Sequence, residues 1–202
     1  MYSKSEATIT SILTAARALF LGKNYDDVTM DGIAEAAGVT KGALYHHFQT
    51  KEALYLAMMH TDLEEKQALL RGAVLSQGTC RERLRGLTKT FLELPPDRRE
   101  LIKLVRRDIN IFRDPNRARL VRAYQAALPE QIELILHDGM GSGELARGDP
   151  RLLSWAYVAL VEVLLTRYAG QALGSQAKTL DYVLDLFFHG AGETPDGEAR
   201  VD

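Results

Sequence analysis

The chain has 202 residues, 46% of them hydrophobic, which is enough for a packed core and too apolar for a disordered polypeptide. A net charge of −2 excludes a protein that coats nucleic acid by bulk charge, and one cysteine excludes an intrachain disulfide framework. That cysteine usage agrees with a reducing cytoplasm, where we expect the protein to reside.

The first predicted helix runs from Ser5 to Leu21, with Ile9, Ile12, Leu13, Ala16, Leu19 and Phe20 on one stripe and Gly22 as its stop. Residues 1–12 are too polar for a signal peptide. Tyr25, in the linker after this helix, is placed to staple the head to the core. Thr29 then offers a hydroxyl to cap a short helix carrying Ile33, Ala34 and Ala37. Gly38 stands where a left-handed residue would end that helix, Val39 fills the turn, and Thr40 caps the next one. Leu44 and Phe48, four apart, hold this second helix to the core and leave Lys41, Gly42, Ala43, Tyr45, His46 and His47 facing outward. A fourth helix starts at Thr50 and turns Leu54, Met58 and Leu63 inward; its first-turn N–H groups with Lys51 form an expected anion site.

Two short helices about a tight turn form the unit that reads DNA, the second lying in the major groove. The string Ile33-Ala34-x2-Ala37-Gly38-Val39-Thr40-x-Gly42-x-Leu44-Tyr45-x-His47-Phe48-x2-Lys51-x2-Leu54 resembles the amino-terminal signature of TetR-family transcriptional regulators. The likeness covers about a quarter of the chain. It implies an all-helical homodimer whose carboxy-terminal domain binds a small-molecule effector and whose head binds a double-stranded DNA operator. Thr40, Lys41, Gly42 and Ala43, at the amino-terminal end of the reading helix, are expected at the base edges. Lys41 can donate to guanine and the Ala43 methyl can touch thymine. The resemblance assigns Tyr45, His46 or His47, Thr29 and Lys51 mostly to phosphates. His46 occupies the variable position and is the better candidate for sequence reading, whereas His47 falls on the motif's usual histidine, whose role is partly structural. The first 60 residues hold only five Lys and Arg against six Asp and Glu, so the head must place its few cations well.

Beyond the head the text is that of a helical bundle. Thr79 and Glu82 have capping-box spacing ahead of Leu84, Leu87, Phe91 and Leu92, and Pro95-Pro96 ends that helix. Asp97 is read as the next cap, before Leu101, Leu104, Val105, Ile109 and Phe112. Asp114-Pro115 opens a helix through Leu120, Tyr124 and Leu128 that Pro129 kinks and that resumes to Gly139. Gly139, Gly141 and Gly143 are read as a loop. Two apolar helices, about Arg151 to Ala169 and Gln176 to His189, close the chain. The first is apolar on more than one side, so the pair reads as half of a four-helix dimer interface, the alternative being a hairpin buried within one subunit. Its most apolar run, Trp155 to Leu165, is interrupted by Glu162 and shorter than the ~20 residues of a membrane span.

The expected organisation is therefore all-α, about nine helices. It comprises a three-helix head over residues 1–50, a ligand-binding and dimerisation domain over 51–190 and a disordered tail over 191–202. Phe91, Arg106, Arg107, Phe112, Tyr124, Tyr157 and Tyr168 are candidate pocket residues. For Arg106-Arg107-Asp108 two readings stay open: an inward arginine meeting an anionic ligand group, or an internal pair of Arg with Asp108 or Glu162. A fatty acid or acyl-CoA would suit an apolar pocket with such a cation. Cys80, beside Arg81 and Arg83, is read as a structural thiol, with a redox role as its alternative. No metal-ligand spacing, nucleophile elbow or phosphate-binding glycine loop stands out, so neither a catalytic residue, a metal nor a cofactor is expected. A helical enzyme and an effector-independent DNA-binding regulator or activator are the competing functions.

Overall fold

The computed structural model describes residues 4–190; the expectation about the tail over 191–202 lies outside them. Within that range the chain forms eleven α-helices and one 3-10 turn. They are α1 (Lys4–Gly22), α2 (Met30–Ala36), α3 (Lys41–His47), α4 (Lys51–Val74), α5 (Cys80–Leu92), α6 (Pro96–Asp108), the 3-10 turn (Ile109–Ile111), α7 (Asn116–Ala127), α8 (Pro129–Ser142), α9 (Pro150–Leu164), α10 (Arg167–Leu173) and α11 (Gln176–His189).

Helices begin where a side-chain oxygen can accept the orphan N–H groups of the first turn. Thr79 and Glu82 close a reciprocal capping box on α5, and Asp149 accepts from the amides of Arg151 and Leu152 ahead of α9. The α6 start differs from expectation. Pro95 and Pro96 set the first turn, no side chain caps it, and Asp97 lies inside the helix. Likewise α7 begins at Asn116, one residue after Pro115.

Two expected helices are each two, which raises nine to eleven. Pro129 does not kink a continuous helix: Leu128 leaves helical geometry (φ −137°, ψ −66°) and Pro129 becomes the first residue of α8. The 151–169 helix stops at Leu164. Thr166 then caps a new helix by accepting from the Ala169 amide, and α10 leaves α9 at 78°. Gly139 and Gly141 belong to α8 and not to a loop; only Gly143, at φ +82°, ends the helix in the left-handed region. Gly139 is there for space, since a Cβ would meet Cys80 Cβ at 2.7 Å and Sγ at 2.8 Å. This packing buries Cys80, and burial pushes its thiol up to about 11, with the Glu144 carboxylate adding to the effect. A thiol so held is structural, as the first of the two readings had it.

The residues form two compact units. The first joins residues 4–69 with 94–127 and contains α1 to α3, most of α4, α6, the 3-10 turn and α7. Its core includes Ile12, Ala16 and Phe20 of α1, Ile33, Leu44, Leu54, Met58 and Leu63, with Leu101, Leu104 and Val105 of α6. Phe20, Tyr25, Tyr55 and Phe112 form one aromatic cluster with ring centroids 4.8 to 5.7 Å apart, so Tyr25 staples the linker to the core. Beside it Asp108 is buried, accepting from Tyr55 Oη at 2.8 Å and from Arg107 Nε and Nη2 at 2.7 and 2.8 Å. Arg107 also donates to the Phe20 carbonyl at 3.1 Å. The internal pair is thus the correct reading of Arg106-Arg107-Asp108, and the inward member is the acid. Further along α4, buried Lys66 pairs with buried Asp62, which also accepts from Arg98 Nε of α6 at 2.5 Å. Burial holds the Lys66 ammonium below the ordinary lysine range.

The second unit joins residues 70–93 with residues 128–190. In it α8 packs along α9, and α11 packs on α5, α9 and α10. Leu84, Leu87, Phe91, Ile132, Ile135, Leu136, Tyr157, Val158, Leu180, Val183 and Leu184 are its core. Among the described residues no single helix is long and apolar enough to cross a membrane.

Candidate nucleic-acid interface

Local chemistry builds the α2–turn–α3 hairpin. Thr29 Oγ1 accepts from the Gly32 amide at 3.1 Å and starts α2. Gly38, at φ +66°, turns the chain after it. The Gly38 amide donates to the Glu35 carbonyl at 3.1 Å and the Val39 amide to the Ala34 carbonyl at 3.0 Å, the paired bonds of a Schellman ending. Thr40 Oγ1 accepts from the Ala43 amide at 3.2 Å and starts α3. Buried Leu44 and half-buried Phe48 hold α3 down, as their four-residue spacing anticipates.

What is left outward is an unbroken exposed face. Thr40, Lys41, Gly42, Tyr45 and His46 are exposed, while Ala43 and His47 are half-buried. The two imidazoles meet edge-on at 5.1 Å, with His47 nearer the core. Gly42 has no internal reason to be glycine, because a Cβ there would have no atom within 4 Å.

Both cations of the motif are already engaged. Lys41 Nζ lies 2.5 Å from Asp31 Oδ2 of α2, and that hydrogen bond, followed by the carboxylate charge, raises the Lys41 pKa. Asp31 is not among the residues that the sequence motif singles out; its signal is an acid in the first turn of the supporting helix, ten residues before the lysine. Lys51 departs further from its expected role. Its ammonium donates to the carbonyls of Tyr25 at 2.8 Å, Val28 at 2.9 Å and Asp26 at 3.3 Å, and lies 4.5 Å from the centre of the Tyr25 ring. Lys51 is therefore committed to fastening the 25–28 loop and does not point at an external phosphate. Burial, helped by the neighbouring acids Glu52, Asp26 and Asp108, pushes the Tyr25 hydroxyl up to about 12. The first turn of α4 remains capped by Thr50, which accepts from the Ala53 amide at 3.0 Å.

The seven pocket candidates do not gather at one place. Phe91 and Tyr157 line a common cavity in the second unit, with Leu87, Thr88, Leu128, Ile132, Val158 and Val161. Its only polar groups are the Thr88 and Tyr157 hydroxyls, 2.6 Å apart. The cavity has a volume of about 10 Å³, room for about one water molecule. Phe112 belongs to the aromatic cluster of the first unit, Arg107 is bound to Asp108, Arg106 is exposed and Tyr124 is buried in α7. Tyr168 is 79% exposed on α10.

Residues 12–58 match the family described as bacterial regulatory proteins, tetR family. A transcriptional activator of Mycolicibacterium smegmatis, FasR, is 35% identical over 82 residues, 41% of this chain and 37% of that protein, so the likeness spans little more than a third of that relative. The transcriptional repressor AcnR of Corynebacterium glutamicum is 29% identical over 178 residues, 87% of each chain. Among solved structures, the regulator FadR of Bacillus subtilis, in complex with stearoyl-CoA, superposes with a TM-score of 0.75 at 19% identity, covering 91% of this chain and 99% of that one.

Proposed function

The chain belongs to the tetR family of bacterial regulatory proteins, a transcription regulator with a helix-turn-helix head, and from that premise we propose that it is a homodimeric, effector-released repressor. The observation that carries the reading is the outer face of α3. Thr40, Lys41, Gly42, Tyr45 and His46 are exposed, and Gly42 opens onto empty space. A helix so presented fits the major groove, its amino-terminal residues and His46 at the base edges and Tyr45 toward phosphates. Lys41 reads a base by exchanging Asp31 for guanine.

Dimerisation is supported by α9 and α11. Leu152 and Val163 are 68% and 61% exposed, and exposed Ala156 and Ala159 lie between them at helical spacing. Tyr182 of α11 is exposed as well. Such an apolar stripe calls for a self-complementary partner, and a two-fold axis would present two reading helices to a palindrome.

For the effector, the cavity bounded by Phe91 and Tyr157 is the nucleus of a pocket for an apolar ligand, an acyl chain such as the one carried by FadR's stearoyl-CoA. At about 10 Å³ it must open to admit one, which makes the closed form the DNA-binding form. The 24-residue α4 would carry that opening to the head. DNA and ligand then oppose each other by the same free energy. The small size of this cavity favours a second reading, a regulator without an effector. A gel shift on DNA upstream of the protein's own gene, with acyl-CoAs, free fatty acids and cationic dyes, separates them. Release of a salt-sensitive complex by one class supports the first reading. A specific complex that none of them releases, although the ligand binds, supports the second.

A further inference from the structure

The positive charge of this chain is concentrated outside the helix-turn-helix. Residues 98–122 hold nine Lys and Arg against three acids, in a chain whose net charge is −2. Two of the nine, Arg98 and Arg107, are committed to Asp62 and Asp108. Among the described residues, Arg113, Arg117, Arg119 and Arg122 are exposed and have no ion-pair partner. The head, by contrast, has Lys41 against Asp31 and Lys51 turned into its own loop.

The start of α7 is fixed close to the head. Asn116 Nδ2 donates to Glu52 Oε1 at 2.7 Å, joining the first turn of α7 to the first turn of α4. Phe112, just ahead, packs on Tyr25 and Tyr55 at 5.6 and 5.2 Å. Arg113 and Arg117 flank Asn116 one turn apart, the Arg117 amide donating to the Arg113 carbonyl at 3.0 Å. Both exposed arginines therefore lie in sequence beside the residue that ties α7 to the amino-terminal end of α4. Arginine forks suit phosphate oxygens and carry no base information.

We propose that Arg113 and Arg117 are DNA contacts, binding backbone phosphates that flank the half-site read by α3. The inference rests on the regulator reading above and adds a source for the electrostatic affinity that the head lacks. An acidic protein or the phosphates of a nucleotide-bearing effector are the competing occupants of the same arginines.

The test is fluorescence anisotropy of the full-length protein on its selected operator and on unrelated duplex DNA, from 50 to 300 mM salt. Each arginine replaced, as Arg113→Gln or Arg117→Gln, removes two phosphate contacts per dimer and should lower the slope of log K against log salt by ~1.8. Affinity for operator and unrelated DNA should fall together, leaving their ratio unchanged. Lys178→Gln, which removes the same formal charge from α11, should leave the slope where it was. An unchanged slope in both arginine variants, or a loss seen only in effector response, would overturn the inference while the regulator reading stands. Failure of the unaltered protein to bind any operator would overturn that reading and this one with it.

Discussion

Asp108→Ala tests the internal logic of the first unit most sharply. The carboxylate is 3% exposed and accepts three hydrogen bonds, one from Tyr55 and two from Arg107. Removing it leaves the Tyr55 hydroxyl, fully buried in an aromatic cluster, without an acceptor, at a cost of about 1–3 kcal/mol. Arg107 is more than a third exposed, so water reclaims much of its charge and its share is smaller. The total is about 3 kcal/mol, which for a chain of this size lowers the melting temperature by about 6–12 °C. Tyr55→Phe should cost only about 1–2 kcal/mol, because Asp108 keeps its arginine. In the double variant the two losses should overlap by about 1 kcal/mol or more. Thermal and urea unfolding followed by circular dichroism supplies all three numbers. Additive losses, or a cost below about 1 kcal/mol for Asp108→Ala, would show that this network does not hold α4 to α6.

The buried tyrosines should make the fold sensitive to alkali. Burial raises the pKa of Tyr55 and Tyr157 above the ordinary range, with the Asp108 hydrogen bond adding at Tyr55, and Tyr25 is raised to about 12. Unfolded tyrosines ionise near pH 10, so this stability is complete below that pH and is lost as the pH climbs past it. Absorbance at 295 nm should therefore show Tyr55 and Tyr157 ionising only with unfolding and Tyr25 late; a single smooth titration of all eight tyrosines near pH 10 would contradict the burial. Lys51→Met should lower stability by about 2 kcal/mol through loss of the loop carbonyl bonds, and a loss of DNA affinity with an unchanged melt would restore the phosphate role instead. Gly139→Ala should cost about 1–3 kcal/mol by forcing α8 off Cys80, whereas Gly141→Ala, with open space around it, should be neutral or stabilising. Equal melts for the two would refute the packing of α8 on Cys80.

The parts legible in the sequence were those governed by local chemistry. Thr29, Thr40, Thr79 and Asp149 each cap the helix that their spacing announces, and Gly38 turns where only a residue without a Cβ turns cheaply. The all-α reading and the tetR resemblance came from such short-range patterns. Choices settled by tertiary contact were not legible. Periodicity continues unbroken through Leu165, so nothing local announces that Thr166 starts a new helix at 78°. Three glycines in five residues read as a loop, although Gly139 is a packing glycine whose partner is 59 positions away. Lys51 and Arg107 illustrate the general difficulty with cations: sequence shows a charge, and only the fold shows which oxygen has already taken it.

The central claim is that α3 reads a palindromic operator. Its most direct test is selection of binding sites from random DNA, then a hydroxyl-radical footprint of the intact protein beside Lys41→Ala and Tyr45→Ala. The expected result is a palindrome protected on two half-sites one helical turn apart or a multiple of it, ~34–36 Å per turn, and loss of that protection in both variants while they stay folded. An enriched sequence without two-fold symmetry, or protection that survives both substitutions, would mean that the reading face lies elsewhere.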